Sequence, residues 1–269
     1  MRKVLTIAGS DSGGGAGIQA DIKTFQELGV YGMSVLTAVT AQNTLGVQEV
    51  YPMTVEAVAE QICSIGEDIG TDALKTGMLF NAEIIEEVSR KISMYEWKNV
   101  VVDPVMIAKG GASLLQQEAV SALKNYLLPL AAVVTPNIPE AEVLTELTIK
   151  TEEDKMEAAK RLHALGAQYV IIKGGHDEHS TQAVDLLFDG KEFSYFASER
   201  IETKNTHGTG CTFSAAITAG LAKGNSVNEA VSDAKRFIQA AIEHPIHIGN
   251  GHGPTNHWAY NQLILTERN

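Results

Sequence analysis

Residues 99–105 read "NVVVDPV", and residues 131–137 read "AAVVTPN". In both stretches a short run of apolar, mostly β-branched residues ends at a polar residue and a proline. The runs do not alternate with polar residues, which is typical of strands buried on both faces of a parallel sheet. Each of the two stretches therefore predicts a buried strand that is followed by a polar loop.

The same pattern extends in both directions along the chain. Further apolar runs occupy residues 4–9, 33–41, 72–77 and 169–175. Segments with apolar residues three and four positions apart predict helices at 17–28, 54–69, 81–94, 114–127, 151–165, 210–223 and 226–243. Strands that alternate with helices predict an α/β fold with a mostly parallel central sheet and right-handed crossovers.

The end of the pattern differs. Residues 182–197 contain two apolar runs around Asp189-Gly190, which predicts a hairpin. No repeat or low-complexity linker divides the chain, so a single domain over residues 1–269 is expected.

The composition excludes several classes of protein. The 269 residues include 21 Lys and Arg against 33 Asp and Glu, a net charge of −12, and no basic cluster suited to nucleic acid. No apolar run approaches the roughly 18 residues of a membrane helix. The N-terminal apolar run is also shorter than the core of a signal peptide. We therefore expect a cytoplasmic protein that binds neither nucleic acid nor membrane.

The two cysteines, Cys63 and Cys211, form neither a disulfide framework nor a zinc-ligand spacing. Cys63 lies among apolar residues at helical spacing, and we interpret it as a core residue. Cys211 follows a glycine-bearing turn at a helix start, which calls for a different interpretation.

The loops after the predicted strands are rich in glycine and polar residues: "GSDSGGGAG", "KTGM", "DPV", "TPN" and "KGG". In parallel sheets, ligands bind beyond the carboxyl ends of the strands, so these loops predict a common cleft.

The first glycine-rich loop has no lysine followed by Ser or Thr, which a Walker A loop requires. "GAGIQA" (15–20) fits the dinucleotide fingerprint, but the next strand ends in Gln42 and Asn43 instead of an acidic residue. An NAD-binding site is thus disfavoured. A plain tight turn and a substrate-facing loop remain, and we favour the latter.

The second glycine-rich turn lies in "NTHGTGCTFSAA" (205–216). Unpaired backbone N–H groups at a helix N-terminus attract anions, so Gly208, Thr209, Gly210 and Cys211 predict an anion cradle. The alternative is a simple helix start with Thr209 as its cap. His207, beside this turn, is a candidate hydrogen-bond donor to a bound phosphate.

Charged residues at the strand ends could complete a site for phosphoryl transfer. Asp103 and Glu140 are suitable magnesium ligands with water, and Lys173 could meet a transferred phosphate. Each residue alone could equally be a surface charge or a helix cap. His244, His247, His252 and His257 have irregular spacing, so we favour a packed C-terminal segment over a metal site.

The motifs resemble, as a set, one known family. "AGSDSGGGAGIQADIKTF", "TAVTAQNT", "KTGM", "DPVM", "TPNIPEAE", "KGGH" and "NTHGTGCTFSAAI" are similar to those of hydroxymethylpyrimidine/phosphomethylpyrimidine kinases, and the similarity extends over the chain. The resemblance implies a ribokinase-like three-layer α/β/α domain and a homodimer. It implies transfer of phosphate from MgATP to the pyrimidine alcohol and then to the resulting monophosphate.

The resemblance also implies roles for individual residues. Gln42 would bind the aminopyrimidine edge, and the remaining residues around the ring would be Gly9, Ala16, Asp21, Met78 and Val105. The ATP phosphates would be bound by Asn137, Lys173, Thr206, His207 and Thr209. Asp103 and Glu140 would act through Mg²⁺ and its waters, and Gly208 and Gly210 would form the anion hole.

Cys211 would receive the proton of the substrate hydroxyl. Related sugar kinases carry an Asp there, in "GAGD". A helix N-terminus lowers a thiol pKa from about 8.5, so a thiolate could serve as base. A neutral thiol, which would not repel the anionic acceptor of the second phosphorylation, stays open as the alternative. Two other functions stay open: a pyridoxal or pyridoxine kinase, and a non-catalytic vitamin-precursor-binding protein. Pyridoxal kinases of this type tend to read "HGAGC" and to lack Gln42, which favours the pyrimidine.

Overall fold

A computed structural model describes residues 1–106, 117–175 and 181–267. The strands are β1 Lys3–Asp11, β2 Tyr31–Asn43, β3 Gly46–Pro52, β4 Ala73–Thr76, β5 Val100–Val102, β6 Val133–Val134, β7 Tyr169–Ile172, β8 Gln182–Phe188 and β9 Phe193–Glu199. The helices are α1 Gly17–Glu27, α2 Val55–Asp68, α3 Ala82–Met94, α4 Gln117–Ala122, α5 Ile138–Thr145, α6 Glu152–Ala164, α7 Thr209–Lys223, α8 Val227–Glu243 and α9 Ala259–Glu267.

All of these strands join one sheet in the order β3-β2-β1-β4-β5-β6-β7-β8-β9. The pairs from β2 through β1, β4, β5 and β6 to β7 are parallel, whereas β3, β8 and β9 pair antiparallel. Val102 pairs with Val134, so Asp103 and Thr135 leave the sheet side by side. The carboxyl ends of the six parallel strands therefore meet at one edge.

Both faces of the sheet are covered. Val100 and Val102 pack into the core with α2, α3 and α6, whereas Val101 packs on the opposite face with α7 and α8. Burial on both faces explains why the valines of β5 form a continuous run instead of an alternating one. The prediction of a three-layer α/β/α fold with a mostly parallel sheet is confirmed.

Each predicted strand and helix within the described residues is present, with ends differing by a few residues. The predicted helix 114–127 begins outside the described residues; its remainder is α4 followed by a π-helical turn at Leu123–Leu127. Strand β3 was not predicted, because it is largely exposed at the sheet edge and lacks an apolar run. The bounds of α5 and the presence of α9 were not predicted either.

None of the helices in the described ranges combines the length and apolar character needed to cross a bilayer.

Candidate active site

The two glycine-rich loops contact each other at the carboxyl edge of the sheet. Gly208 has a φ of 82°, and a Cβ on it would overlap the carbonyl oxygen of Gly15. A Cβ on Gly15 would in turn overlap the ring of His207. Only glycine combines that positive φ with such a close approach of two backbones. The loops at residues 12–16 and 206–210 thus form a single structural unit.

The N-terminus of α7 carries the predicted anion cradle. Gly208 is its N-cap residue and no side chain caps the helix. The alternative that Thr209 caps it is wrong, because the Thr209 hydroxyl donates to the carbonyl of Thr206. A Cβ on Gly210 would lie 3.4 Å from Lys173 Nζ. The backbone N–H groups at the N-terminus of α7 and the ammonium group of Lys173 therefore lie close together, and both favour an anion.

Asp103 lies beside this cradle and is almost fully buried. Its carboxylate accepts hydrogen bonds from Lys173 Nζ at 3.0 Å, Thr135 Oγ1 at 3.2 Å and Ser214 Oγ at 3.1 Å. Burial alone would raise the pKa of Asp103, but the charges of Lys173 and Lys75 outweigh it and lower the pKa. Asp103 is consequently ionised and fixed in orientation.

Glu140 is the second carboxylate of this cluster. It is residue N3 of α5 and forms a capping box with Asn137: the Glu140 side chain accepts from the Asn137 backbone N–H, and Asn137 Oδ1 accepts from that of Glu140. Its Oε2 is 4.0 Å from Lys173 Nζ. Burial raises the pKa of Glu140 to about 7. Helix capping and the site thus use the same two residues.

The fit of a divalent cation can be judged from these donors. The described residues contain no group of three or more His, Cys, Asp or Glu side chains placed to hold a metal. Asp103 and Glu140 do lie close together, since Lys173 Nζ is 3.0 Å from Asp103 Oδ1 and 4.0 Å from Glu140 Oε2. Mg²⁺ is commonly held by one or two carboxylates, water and substrate phosphates, so this pair fits it.

The structure groups most of the predicted ring-contacting residues near the first loop. A Cβ on Gly9 would overlap the methyl group of Met78, and Ala16 is the N-cap residue of α1 beside Gly208. Gln42 Nε2 lies 3.3 Å from His207 Nε2. The Val105 N–H donates to the Asp103 carbonyl, so Val105 lies next to the carboxylates of Asp103 and Glu140 and not in the first loop.

Asp21 is placed differently from these residues. It is completely buried, and both carboxylate oxygens accept from Lys75 Nζ, which is also completely buried. Its contact with the ring therefore stays a prediction. The charge of Lys75 opposes the effect of burial on the pKa of both Cys211 and Asp103, so the buried pair acts on the site through its charge.

Sequence reasoning missed Lys75, Asp11 and Ser214. Lys75 is the lysine of "KTGM" and Asp11 the acid of "GSDSGGGAG", both inside motifs singled out for their glycines. A lysine within an apolar strand was the available signal. Ser214, one turn into α7, carried no signal, because its partner Asp103 is 111 positions away.

The protonation state of Cys211 can be judged from its surroundings. Burial raises the pKa of the Cys211 thiol to about 11, despite the opposing effects of the Lys75 charge and a hydrogen bond from the Gly17 N–H. The charges of Asp21 and Asp103 raise this pKa as well. At neutral pH the side chain is a neutral thiol.

Cys63 differs from the expected core residue. It is only partly buried, and Lys91 Nζ lies 2.7 Å from its Sγ. The hydrogen bond from Lys91 lowers the pKa of Cys63.

Cys63 should therefore react faster than Cys211, although the position of Cys211 at a helix start indicates the opposite order. Because the thiolate is the reactive form, limiting iodoacetamide at pH 7.5 should modify Cys63 at least about tenfold faster than Cys211. Peptide mapping by mass spectrometry measures the two rates, with Cys63→Ser as the control for Cys211. Faster labelling of Cys211 would contradict its raised pKa.

The C-terminal segment packs against the anion cradle. The His207 N–H donates to the Gly253 carbonyl, and the Thr212 hydroxyl lies 3.0 Å from His257 Nε2. His257 is 4% exposed, and burial lowers its pKa to about 4. The segment is therefore packed around His257, whereas His244, His247 and His252 are exposed.

This histidine should make stability depend on pH. The unfolded chain binds a proton at His257 near pH 6.5 and the folded chain only near pH 4. The free energy of unfolding should thus fall between pH 6.5 and 4, by on the order of 3 kcal/mol from this group. Urea unfolding of the protein and of His257→Gln across that range measures it. Equal pH slopes for the two proteins would exclude the effect.

The phosphomethylpyrimidine kinase family model matches residues 11–256. A hydroxymethylpyrimidine/phosphomethylpyrimidine kinase of Bacillus subtilis is 59% identical over 263 residues, which are 98% of this chain and 97% of that protein. A pyridoxine kinase of the same organism is 50% identical over 262 residues, 96% of this chain and 97% of that protein.

Solved structures agree with the sequence comparisons. The ADP complex of Bacillus subtilis pyridoxal kinase has a TM-score of 0.90 at 48% identity, covering 97% of this chain and 99% of that chain. Staphylococcus aureus pyridoxal kinase in complex with AMP-PCP and pyridoxal has a TM-score of 0.89 at 42% identity, covering 98% and 96%. The fold and the relatives define a kinase with a ribokinase-like fold. Within that class, the chain belongs to the phosphomethylpyrimidine kinase family.

Proposed function

We propose that the protein phosphorylates 4-amino-5-hydroxymethyl-2-methylpyrimidine with ATP, first to the monophosphate and then to the diphosphate, in thiamine biosynthesis. The main support is the 59% identity to a hydroxymethylpyrimidine/phosphomethylpyrimidine kinase across the chain. Gln42, on the same sheet edge as the cradle of Gly208 and Gly210, provides an amide suited to an aminopyrimidine edge.

The arrangement of charges suits transfer of the γ-phosphate. This reaction depends mainly on positioning and electrostatic stabilisation. Lys173 and the N–H groups of Gly210 and Cys211 would stabilise the transferring phosphoryl group. Asn137, Thr206 and Thr209 remain proposed phosphate contacts. His207 is not among them, because its backbone N–H donates to the Gly253 carbonyl and its Nε2 faces Asp11. Solved relatives with ADP and AMP-PCP support ATP as the donor.

Mg²⁺ is the second proposed cofactor. Asp103 and Glu140 would hold it, in part through water, where it would neutralise phosphate charge. Lys173 already balances Asp103 at 3.0 Å, so the protein side of the site carries little net charge.

Cys211 would then act as a neutral thiol near the reacting hydroxyl. The loose transition state of phosphoryl transfer requires little help from a base. The second acceptor is an anionic phosphate oxygen, which a fixed carboxylate would repel by on the order of 4 kcal/mol for unit charges about 4 Å apart at an effective dielectric constant of 20. A neutral side chain permits both steps.

Cys211→Asp should accordingly reduce diphosphate formation much more than monophosphate formation. Cys211→Ser, the neutral control, should reduce both steps by similar factors. Single-turnover rates with the pyrimidine and with its monophosphate separate the two effects. Equal losses in both steps of Cys211→Asp would contradict the electrostatic argument.

A pyridoxine or pyridoxal kinase is the second candidate function, favoured by the 50% identity to a pyridoxine kinase. Non-catalytic binding of a vitamin precursor is not supported, because the relatives are kinases. A homodimer and a cytoplasmic location are further proposals. Val39 and Tyr51 pair across β2 and β3 and are 40% and 60% exposed, which offers an apolar patch for a second copy.

The function is tested by mass detection of phosphorylated products. The protein is incubated with ATP, Mg²⁺ and either the pyrimidine or pyridoxal, with an EDTA arm for the metal. Mono- and diphosphates of the pyrimidine, formed only with Mg²⁺, are the expected result. Exclusive phosphorylation of pyridoxal would favour the second candidate, and no product from either would refute both.

A further inference from the structure

A chain of polar side chains runs from the first loop to Gln42. His207 Nε2 lies 2.8 Å from Asp11 Oδ2 and 3.3 Å from Gln42 Nε2. On its other side Gln42 Oε1 is 3.0 Å from Thr40 Oγ1, which is also 2.9 Å from the carbonyl oxygen of Ser10. Asp11 and Thr40 are buried, so water does not substitute for these partners.

Asp11 determines which nitrogen of His207 carries hydrogen. Its carboxylate accepts from the backbone N–H groups of Gly13, Gly15 and Ala16. Burial raises the pKa of Asp11, but the hydrogen bond and charge of His207 and these N–H groups outweigh it and lower the pKa. An ionised carboxylate only accepts hydrogen bonds. His207 Nε2 must therefore be the protonated nitrogen.

That proton conflicts with the Gln42 amide nitrogen 3.3 Å away, since both groups would be donors. The oxygen and nitrogen of an amide have nearly the same shape, so their partners decide the orientation. We propose that the Gln42 amide is turned by 180°, with Oε1 facing His207 Nε2–H and Nε2 facing Thr40 Oγ1. Thr40 then accepts from Gln42 and donates to Ser10. The single Nε2–H of His207 donates mainly to Asp11 Oδ2 at 2.8 Å and is shared with Gln42 Oε1, so that no two donors face each other.

In this arrangement Asp11, His207 and Thr40 are positioning residues that set the order of donor and acceptor on Gln42. This inference rests on the proposed function. An aminopyrimidine edge presents a ring nitrogen acceptor beside an amine donor, and an amide matches both groups in only one order. Pyridoxal has no ring amine, so these hydrogen-bonded side chains would favour the pyrimidine over pyridoxal as the substrate that is phosphorylated.

The tautomer of His207 is the direct test. Long-range ¹H–¹⁵N correlation spectra of the full chain, with His207→Gln to assign the signal, report which ring nitrogen carries the proton. The Nε2–H form is expected in the wild type. In Asp11→Asn the share of the Nδ1–H form should rise, because an amide can donate to Nε2. A wild-type His207 in the Nδ1–H form would overturn the proposal.

Thr40 provides a second test through substrate choice. Thr40→Val removes the hydroxyl with little change in shape and should raise KM for the pyrimidine about tenfold, as expected for one lost hydrogen bond. KM for pyridoxal and kcat for both should change less than about threefold, and Thr40→Ser should restore the wild-type values. Equal effects on both acceptors would overturn the proposal. Inactivity of the wild type on both substrates would instead refute the proposed function. The tautomer spectrum of His207 would still test the proposed orientation of the Gln42 amide.

Discussion

Lys75→Met should lower the free energy of unfolding by about 3–5 kcal/mol, because it leaves an uncompensated charge in the core. Lys75 and Asp21 are each 0% exposed, and Lys75 Nζ donates to both Asp21 oxygens at 2.7 and 2.9 Å. Burial by itself lowers the pKa of Lys75, but the charge of Asp21 outweighs it and the pKa is raised. Lys75 is thus charged across the physiological pH range, whereas burial raises the pKa of Asp21 against the opposing charge of Lys75.

Two comparisons separate this charge effect from a general effect of mutation. Arg2→Met breaks the exposed pair between Arg2 and Asp72 and should cost less than about 1 kcal/mol. The double variant Asp21→Asn/Lys75→Met removes both buried charges and should recover a large part of the stability lost by Lys75→Met. Urea unfolding measures all three. A loss for Lys75→Met as small as that for Arg2→Met would contradict the argument.

Gly208→Ala should abolish most of the kinase activity. The added methyl group would overlap the carbonyl oxygen of Gly15, and the residue has a φ of 82°. To admit the methyl group the loops at 12–16 and 206–210 must separate, which would move the N–H groups at the start of α7 away from the position proposed for the phosphoryl group. Loss of one such donor typically lowers kcat by about 10²–10³. We expect at least that loss in steady-state assays.

The other end of the same helix supplies the matched control. Gly224, after α7, has a φ of 92° but no atom within 4 Å of its hypothetical Cβ. Gly224→Ala should therefore show only the cost of the left-handed conformation, about 1–2 kcal/mol of stability, with activity unchanged. If Gly208→Ala and Gly224→Ala retained similar activity, the contact with Gly15 would not be essential to the cradle.

Much of the architecture could be predicted because it depends on local patterns. Continuous valines in β5 and β6 indicate strands buried on both faces, and glycine turns indicate loops at their ends. The antiparallel strand β3 escaped prediction because an edge strand has one exposed side and little apolar signal. The convergence of Asp103, Glu140 and Lys173 followed from the shared edge of parallel strands.

The sequence by itself determined the layered fold, the family and the start of α7, where the anion cradle is proposed, since each depends on the residue types within short segments. Only the tertiary structure decided the protonation of Cys211, the withdrawal of Asp21 into a buried pair with Lys75, and the link between Asp11 and His207. These properties depend on loss of solvent and on partners as far as 196 positions apart. Packing of distant segments sets both, and no local pattern encodes them.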